Sequence, residues 1–172
     1  VTILNFWQWA YSDVLSNRNR GIFAEYIVSH ALDSDTEVRR EWDACDCLYN
    51  ECNIEVKSAA YLQGWKQNKP SHIGFDIAKR KISWDAKTNT YYAVEGRAGA
   101  IYVFCLFKER DAKKANVLDM RQWEFYILST ESIDVLFNNQ KSVSLSVLKK
   151  HCEPVGYDDI KPKIDAMIKI IL

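Results

Sequence analysis

The sequence has no net charge, few glycines and prolines, and no long apolar run. It contains 172 residues, with 23 basic and 23 acidic side chains, 6 glycines and 3 prolines. The zero balance removes the basic excess that usually indicates nucleic-acid binding, although a local basic face remains compatible with it. No apolar run approaches the roughly 18 residues that cross a bilayer, so no membrane segment is predicted. Repeats, low-complexity segments and flexible linkers are also absent from the sequence, and we expect a single domain over 1–172.

The five cysteines are odd in number and have apolar neighbours. This usage predicts reduced thiols rather than a disulfide framework. The first residues lack the basic and apolar regions of a signal peptide, and we therefore expect a cytoplasmic protein. Three cysteines, Cys45, Cys47 and Cys52, lie close together, but their spacing is not that of a CxxC pair and no fourth ligand is near, which argues against zinc.

Hydrophobic periodicity predicts helices at both ends of the chain and strands between them. Helices are expected over 3–15, 20–32, 130–136, 144–151 and 158–172, strands over 71–77, 100–107 and 123–128, and a long loop or irregular ribbon over 85–99. The run over 100–107 is continuously apolar, which predicts a strand that is covered on both faces. The pattern predicts an α/β fold in which helices flank a mixed sheet of about five strands.

Charged residues interrupt the two strand-like runs of the segment 41–63. A charged group inside an apolar strand is costly to bury unless it is paired or binds a metal ion. These residues therefore indicate a functional role beyond folding. They are Glu41, Asp43 and Asp46 in the first run, and Glu55 and Lys57 in the second.

Cross-strand pairing predicts that two of these carboxylates face each other. A turn centred between Asn50 and Glu51 places Asp46 directly opposite Glu55, and such neighbours are about 5 Å apart at Cβ. Two carboxylates at this separation repel each other unless a cation lies between them. Mg²⁺ prefers such oxygens, with water completing its coordination, so this register predicts a Mg²⁺ site.

A second register remains open from the sequence. A shift by one residue places Cys47 opposite Glu55 and Asp43 opposite Ala59. Asp43 therefore stays a rival to Asp46 as a metal ligand.

Lys57 follows Glu55 by two residues, so both side chains lie on the same face of the strand. A lysine beside a metal ion can orient a bound water, assist its deprotonation, or stabilise the charge on a transferring phosphate. Two carboxylates and a lysine in this arrangement suit the hydrolysis of a phosphodiester.

These residues resemble the motif of the PD-(D/E)XK nuclease superfamily, which has the restriction-endonuclease-like fold. The resemblance consists of Asp46, then Glu55-Val56-Lys57, preceded by a predicted helix that carries Glu25. It covers residues 18–107, and the segment 41–63 resembles uncharacterised bacterial proteins of that superfamily. Cys45 stands where the name of the motif has proline.

The resemblance implies a Mg²⁺-dependent endonuclease in which Mn²⁺ substitutes for Mg²⁺. It implies Glu25, Asp46 and Glu55 as metal ligands and Lys57 as the catalytic lysine. Gln63 matches a polar position near the site in some members. The expected partner is double-stranded DNA, and a homodimer is a further expectation because cutting two strands requires two sites.

Other interpretations of the same residues stay open. Glu25 also fits an exposed acid on a helix face, and Glu55 with Lys57 also fits a solvent-facing pair. The alternative function is a non-catalytic nucleic-acid-binding or regulatory protein that retains the fold, and a third is an RNA-directed nuclease. A basic rim that faces nucleic acid, or simply a solvated loop, is predicted for Trp65, Lys66, Lys69, Lys79, Arg80 and Lys81.

Overall fold

The computed structural model describes residues 1–36, 38–39, 41, 45–85 and 88–171, without the side chains of 83–85, 92, 94 and 95. Asp43, the rival metal ligand, lies outside the described residues. The helices are α1 (Ile3–Tyr11), α2 (Asn17–Ala31), α3 (Thr130–Phe137), α4 (Leu145–Leu148) and α5 (Ile160–Ile171). The strands are β1 (Cys47–Tyr49), β2 (Cys52–Ala60), β3 (Gly74–Asp76), β4 (Arg80–Asp85), β5 (Thr90–Gly96), β6 (Ile101–Phe107), β7 (Trp123–Ser129) and β8 (Ser142–Ser144). Single 3₁₀ turns span Met120–Gln122 and Tyr157–Asp159.

The main sheet is mixed, with the strand order β1-β2-β6-β7. β2 and β6 run parallel, whereas β1 and β7 are antiparallel to their neighbours. All seven residues of β6 are buried, which confirms the strand predicted from its continuous apolar run. The protein is therefore a mixed α/β structure in which helices flank the sheet.

The main sheet has four strands in the described part of the chain, fewer than the five or so predicted. The predicted strand over 71–77 forms β3, which pairs with β8 in a separate two-stranded sheet. Its buried residues pack against a face of the main sheet, where the rings of Phe75 and Phe104 lie 5.2 Å apart. Apolar alternation predicted the strand but could not distinguish an edge of the main sheet from a position across its face.

Each face of the main sheet carries its own apolar core. On one face, α2 and α5 pack over alternate residues of the central strands, such as Val56 and Val103. On the other face, α3, α4, β3 and β8 cover the intervening residues, which include Ala59, Tyr102 and Phe104. This alternation fixes which face each charged residue of β2 meets.

The first two helices differ from the predicted boundaries because a capping network separates them. α1 ends at Tyr11, and α2 begins after Ser16, whose hydroxyl accepts a hydrogen bond from the backbone N–H of Asn19. The Asn19 side chain donates to the backbone carbonyls of Ala10 and Asp13 at 3.3 and 3.0 Å. These bonds satisfy carbonyls at the end of α1 and hold the two helices together.

β4 and β5 form a separate antiparallel ribbon. β5 falls within the segment 85–99 for which a long loop or irregular ribbon is expected, whereas β4 precedes that segment and was not predicted. The ribbon begins at Arg80, inside the basic cluster recognised in the sequence. Among the described helices, none has the length and apolar character that crossing a bilayer requires.

Candidate active site

The hairpin between β1 and β2 adopts the first of the two predicted registers. Its turn consists of Asn50 and Glu51, which both have positive φ angles, 47° and 62°, as a type I′ turn requires. Cys47 pairs with Ile54. The alternative register, with Cys47 opposite Glu55, is wrong. The two-residue turn pairs Tyr49 directly with Cys52, and a shift by one residue would require a turn of a different length.

Asp46 immediately precedes β1 and contacts β2 next to Glu55. Its Oδ2 accepts a hydrogen bond of 2.8 Å from the backbone N–H of Val56. Burial raises the pKa of the Asp46 carboxyl above its ordinary value, and the charge of Glu25 also raises it, against the hydrogen bond from Val56, which lowers it. The carboxyl is therefore held in place by the backbone of β2 and destabilised as an anion.

Glu55 is a buried carboxylate whose two oxygens have different environments. The residue is 1% exposed. Its Oε1 accepts hydrogen bonds from Nζ of Lys57 at 2.5 Å and from Nη2 of Arg80 at 2.7 Å. Its Oε2 is buried and has no hydrogen-bond partner among the described residues. A buried carboxylate oxygen without a partner is costly, and this oxygen is free to accept a further hydrogen bond or to contact a cation.

The electrostatic balance around Glu55 opposes ionisation of its carboxyl group more than water does. Burial raises the pKa of the Glu55 carboxyl, and the neighbouring charge of Asp46 raises it further. The cations of Lys57 and Arg80 lower it without cancelling the increase. A divalent cation would reverse this balance because it attracts both carboxylates at once.

Tyr102 lies beside Glu55 in the parallel register of β2 and β6. Its hydroxyl accepts a hydrogen bond of 3.2 Å from the backbone N–H of Ala98. Burial and the charge of Glu55 raise the pKa of Tyr102 to about 12. The phenol therefore stays protonated at neutral pH and keeps a donor near the carboxylate.

Arg80 belongs to this site although the sequence suggested only a place in a basic rim. It lies on β4, 25 positions after Glu55, and its side chain is 38% exposed. No spacing rule connects the two residues, since the ribbon and the main sheet meet only in the folded chain. The basic cluster at 79–81 was the one available signal, and it did not indicate which cation reaches a carboxylate.

Glu25 lies near Asp46 but is engaged by a different partner. Both of its carboxylate oxygens pair with the guanidinium of Arg39, and its side chain is 17% exposed. Glu25 and Asp46 line the same cleft, of about 1230 Å³, between the first two helices and the segment before β1. The structure thus brings Glu25 to the edge of the site as an ion-paired residue, in place of the exposed acid considered above.

Gln63 is occupied in a structural network away from Glu55. Its side chain donates to the hydroxyl of Ser71 at 3.1 Å and accepts a long contact of 3.5 Å from Arg20. Arg20 is 3% exposed and donates to the hydroxyl of Ser58 at 3.2 Å. These bonds connect α2 to the end of β2, so Gln63 supports the strand that carries Glu55.

Asp46 and Glu55 are the two carboxylates that would hold a divalent cation at this site. Asp46 and Glu55 are adjacent, and Glu55 has a buried oxygen to offer. Within the part of the chain that the structure describes, no cluster of three or more His, Cys, Asp or Glu side chains is arranged to hold a metal ion. Mg²⁺ commonly keeps several waters and takes only one or two protein carboxylates. Two carboxylates are fewer than the three ligands expected, and the third expected ligand, Glu25, is paired with Arg39.

Comparison with known proteins adds no family to this description. No protein-family model matches the chain, and no curated protein matches it. The geometry of Asp46, Glu55, Lys57 and Arg80 is therefore the basis on which a function is proposed.

Proposed function

We propose that this protein is a Mg²⁺-dependent endonuclease of the PD-(D/E)XK superfamily that hydrolyses phosphodiester bonds in double-stranded DNA. The observation that carries the proposal is the Glu55 carboxylate, which is buried beside Asp46 and Lys57 with Oε2 unpartnered among the described residues. Burying a carboxylate lowers the stability of the fold unless the carboxylate is ion-paired or binds a metal ion. Asp46 and Glu55 would hold the metal ion, which on binding would lower the pKa of water and neutralise phosphate charge.

Lys57 is the residue that would act on the reacting atoms. Its Nζ lies 2.5 Å from Glu55, and its side chain is 24% exposed, so the ammonium group lies between the buried carboxylate and solvent. From there it can donate to the attacking water or to a phosphate oxygen as negative charge develops. Glu55 orients the ammonium group for this role.

The arrangement of the elements supports the fold part of the proposal. Over 18–107 the main-sheet strands and their helix follow in the order α2, the β1–β2 hairpin and then β6 parallel to β2, while β3, β4 and β5 lie between β2 and β6 in the chain and form other sheets. This is the order of helix, hairpin and strand on which the resemblance rests. The mixed sheet, with α2 and α5 packed on one face, agrees with a restriction-endonuclease-like architecture.

One observation favours the rival function, a non-catalytic nucleic-acid-binding or regulatory protein. Lys57 and Arg80 already place two positive charges on Glu55. Such a cluster can hold a buried carboxylate without a metal ion. Titration calorimetry with Mn²⁺ separates the two functions, since absence of binding to the wild-type protein favours the rival.

A cleavage assay tests the nuclease directly. Plasmid, linear duplex, single-stranded DNA and RNA are each incubated with Mg²⁺ or Mn²⁺. We expect cleavage of duplex DNA, and a loss of about 10²- to 10⁴-fold for Lys57→Ala, the range for a positioned proton-transfer group. Asp46→Asn is expected to lose metal-dependent cleavage because one ligand charge is removed.

Matched controls separate chemistry from folding. Glu153→Gln and Lys163→Ala change an exposed acid and an exposed lysine distant in sequence from the site, and both should cleave as the wild type does. Thermal unfolding followed by circular dichroism verifies that each variant is folded. Undiminished cleavage by both Asp46→Asn and Lys57→Ala would sink the assignment.

A further inference from the structure

A basic cleft opens where the chain leaves β2. Its volume is about 570 Å³, and its polar lining includes Tyr61, Lys69, Ser71, His72, Arg110 and Lys149. No Asp or Glu is among the described residues that line it. Because the whole chain has no net charge, three permanent cations around one cavity are a local concentration of positive charge.

Neighbouring carboxylates offset this charge only in part. Nζ of Lys149 lies 3.9 Å from Oε2 of Glu124. The same carboxylate also meets Lys108 at 3.6 Å and accepts a hydrogen bond of 2.8 Å from Tyr126. Glu124 is thus shared by two lysines and a phenol, and Glu109 and Asp111, which flank Arg110 in the chain, are not among the residues that line the basic cleft.

The basic cleft contains a preorganised guanidinium. The Arg110 guanidinium lies 3.9 Å from the centre of the Tyr61 ring. Stacking on an aromatic ring restricts the side chain while its N–H edges stay available for hydrogen bonds. Arg110 is exposed and Tyr61 is half-buried, so the stack lies at the surface. A planar, oriented guanidinium is well suited to bidentate contact with a phosphate.

The basic cleft lies on the face of the main sheet to which Glu55 and Lys57 belong by strand alternation. Tyr61 packs against the core that includes Ala59 and Tyr102, the residue beside Glu55. Tyr61 follows Lys57 by four residues, which corresponds to about 13 Å along a strand. One strand of duplex DNA carries about four phosphates over that length of helix axis.

We infer that the basic cleft binds backbone phosphates of the nucleic-acid strand that flanks the bond cleaved at Lys57. This inference rests on the proposed nuclease function and names a substrate contact outside the catalytic residues. The contacts are to phosphate, so the basic cleft adds affinity and orientation without reading sequence.

The test is the salt dependence of DNA binding, measured by fluorescence anisotropy with a labelled duplex oligonucleotide in EDTA. The variant Lys69→Gln/Lys149→Gln removes two charges from the basic cleft. Each lost phosphate contact reduces the slope of log K against log salt by about 0.9, so we expect a slope smaller by about two and weaker binding at low salt.

The matched control is Lys163→Gln/Lys169→Gln. It removes the same number of charges from exposed positions on α5, which packs on the opposite face of the main sheet. We expect wild-type affinity and slope for this control. Equal slopes for the wild type and the basic-cleft variant, or an equal loss in both double variants, would overturn the inference.

The two proposals can fail separately. If the wild type binds DNA through the basic cleft but cleaves no substrate with Mg²⁺ or Mn²⁺, the nuclease proposal fails and the phosphate site stands as a binding surface. If the wild type cleaves and the basic-cleft variant binds with an unchanged slope, the inference fails and the nuclease proposal stands.

Discussion

Nη2 of Arg80 lies 2.7 Å from Oε1 of Glu55, although the two residues belong to different sheets. The contact ties the β4–β5 ribbon to the most deeply buried acid of the main sheet. It also places a second cation on the oxygen that Lys57 already contacts. The affinity of Glu55 for any further cation therefore depends on Arg80.

Replacing Arg80 with glutamine is expected to strengthen divalent-cation binding. A positive charge 2.7 Å from a ligand oxygen opposes a metal ion at the same carboxylate, since like charges repel at short range. We expect a several-fold lower Kd for Mn²⁺ in Arg80→Gln, measured by titration calorimetry. Lys81→Gln, at the exposed neighbouring position, should leave the Kd unchanged. A weaker or unaltered Mn²⁺ affinity in Arg80→Gln would contradict the proposed competition.

The pH dependence of stability should reveal the buried state of Glu55. Burial raises its folded-state pKa above the ordinary value of 4.5. A group with a raised folded pKa stabilises the protein fully below the unfolded pKa, and that contribution is lost as the pH rises through the folded pKa. The buried carboxyl of Glu55 therefore contributes most to stability at acidic pH, and this contribution falls as the pH rises towards neutrality.

The comparison is between wild type and Glu55→Gln by urea unfolding in EDTA, from about pH 4 to pH 7. Glutamine has nearly the same shape as glutamate and does not titrate. The contributions of all other titrating groups therefore largely cancel in the difference in unfolding free energy between the two proteins. We expect the wild type to lose stability relative to Glu55→Gln as the pH rises. A difference that is constant across this range would show that the pKa of Glu55 is not raised.

Gly99 is expected to tolerate no side chain because it packs against the backbone of β2. A Cβ at this position would lie 2.9 Å from the backbone nitrogen of Glu55 and 3.0 Å from the carbonyl oxygen of Asn53. We expect Gly99→Ala to lower the free energy of unfolding by about 1–3 kcal/mol, the usual cost of overpacking. Cleavage should fall as well, since Glu55 is displaced.

Gly21 provides the control for this substitution. It lies within α2, and a Cβ there would meet nothing within 4 Å. Gly21→Ala should raise the free energy of unfolding by about 0.4–1 kcal/mol because the unfolded chain loses conformational freedom. Urea unfolding of both variants gives the two free energies. Equal effects would contradict the prediction that close packing against β2 makes Gly99 intolerant of a side chain.

Glu51 is expected to be a weak point of the hairpin. Its φ angle of 62° lies in the left-handed region, which costs a residue other than glycine roughly 1–2 kcal/mol. Glu51→Gly should therefore stabilise the protein by about 0.5–1 kcal/mol after the added flexibility of the unfolded chain is subtracted. Asn50→Gly should gain less, since asparagine tolerates this conformation. Urea unfolding of the two variants tests this order.

The sequence by itself determined the local features of the site. Period-two alternation put Glu55 and Lys57 on one face of their strand. The apolar run of β6 determined a strand buried on both sides. Both features depend on neighbours along the chain, which is why spacing rules are sufficient. The register of the hairpin stayed open between two possibilities until the structure showed the turn at Asn50 and Glu51.

Only the tertiary structure decided how the charges pair. Arg80 reaches Glu55 from a separate ribbon, and Arg39 engages Glu25. Ion pairs between distant segments depend on how elements pack, and no periodicity in the sequence encodes that packing. The same reason explains why β3 pairs with β8 and why one oxygen of Glu55 is buried without a partner among the described residues. The burial of a carboxylate and the charges around it depend on how the elements pack. The motif therefore predicted which residues form the site, but their electrostatic environment follows only from the folded structure.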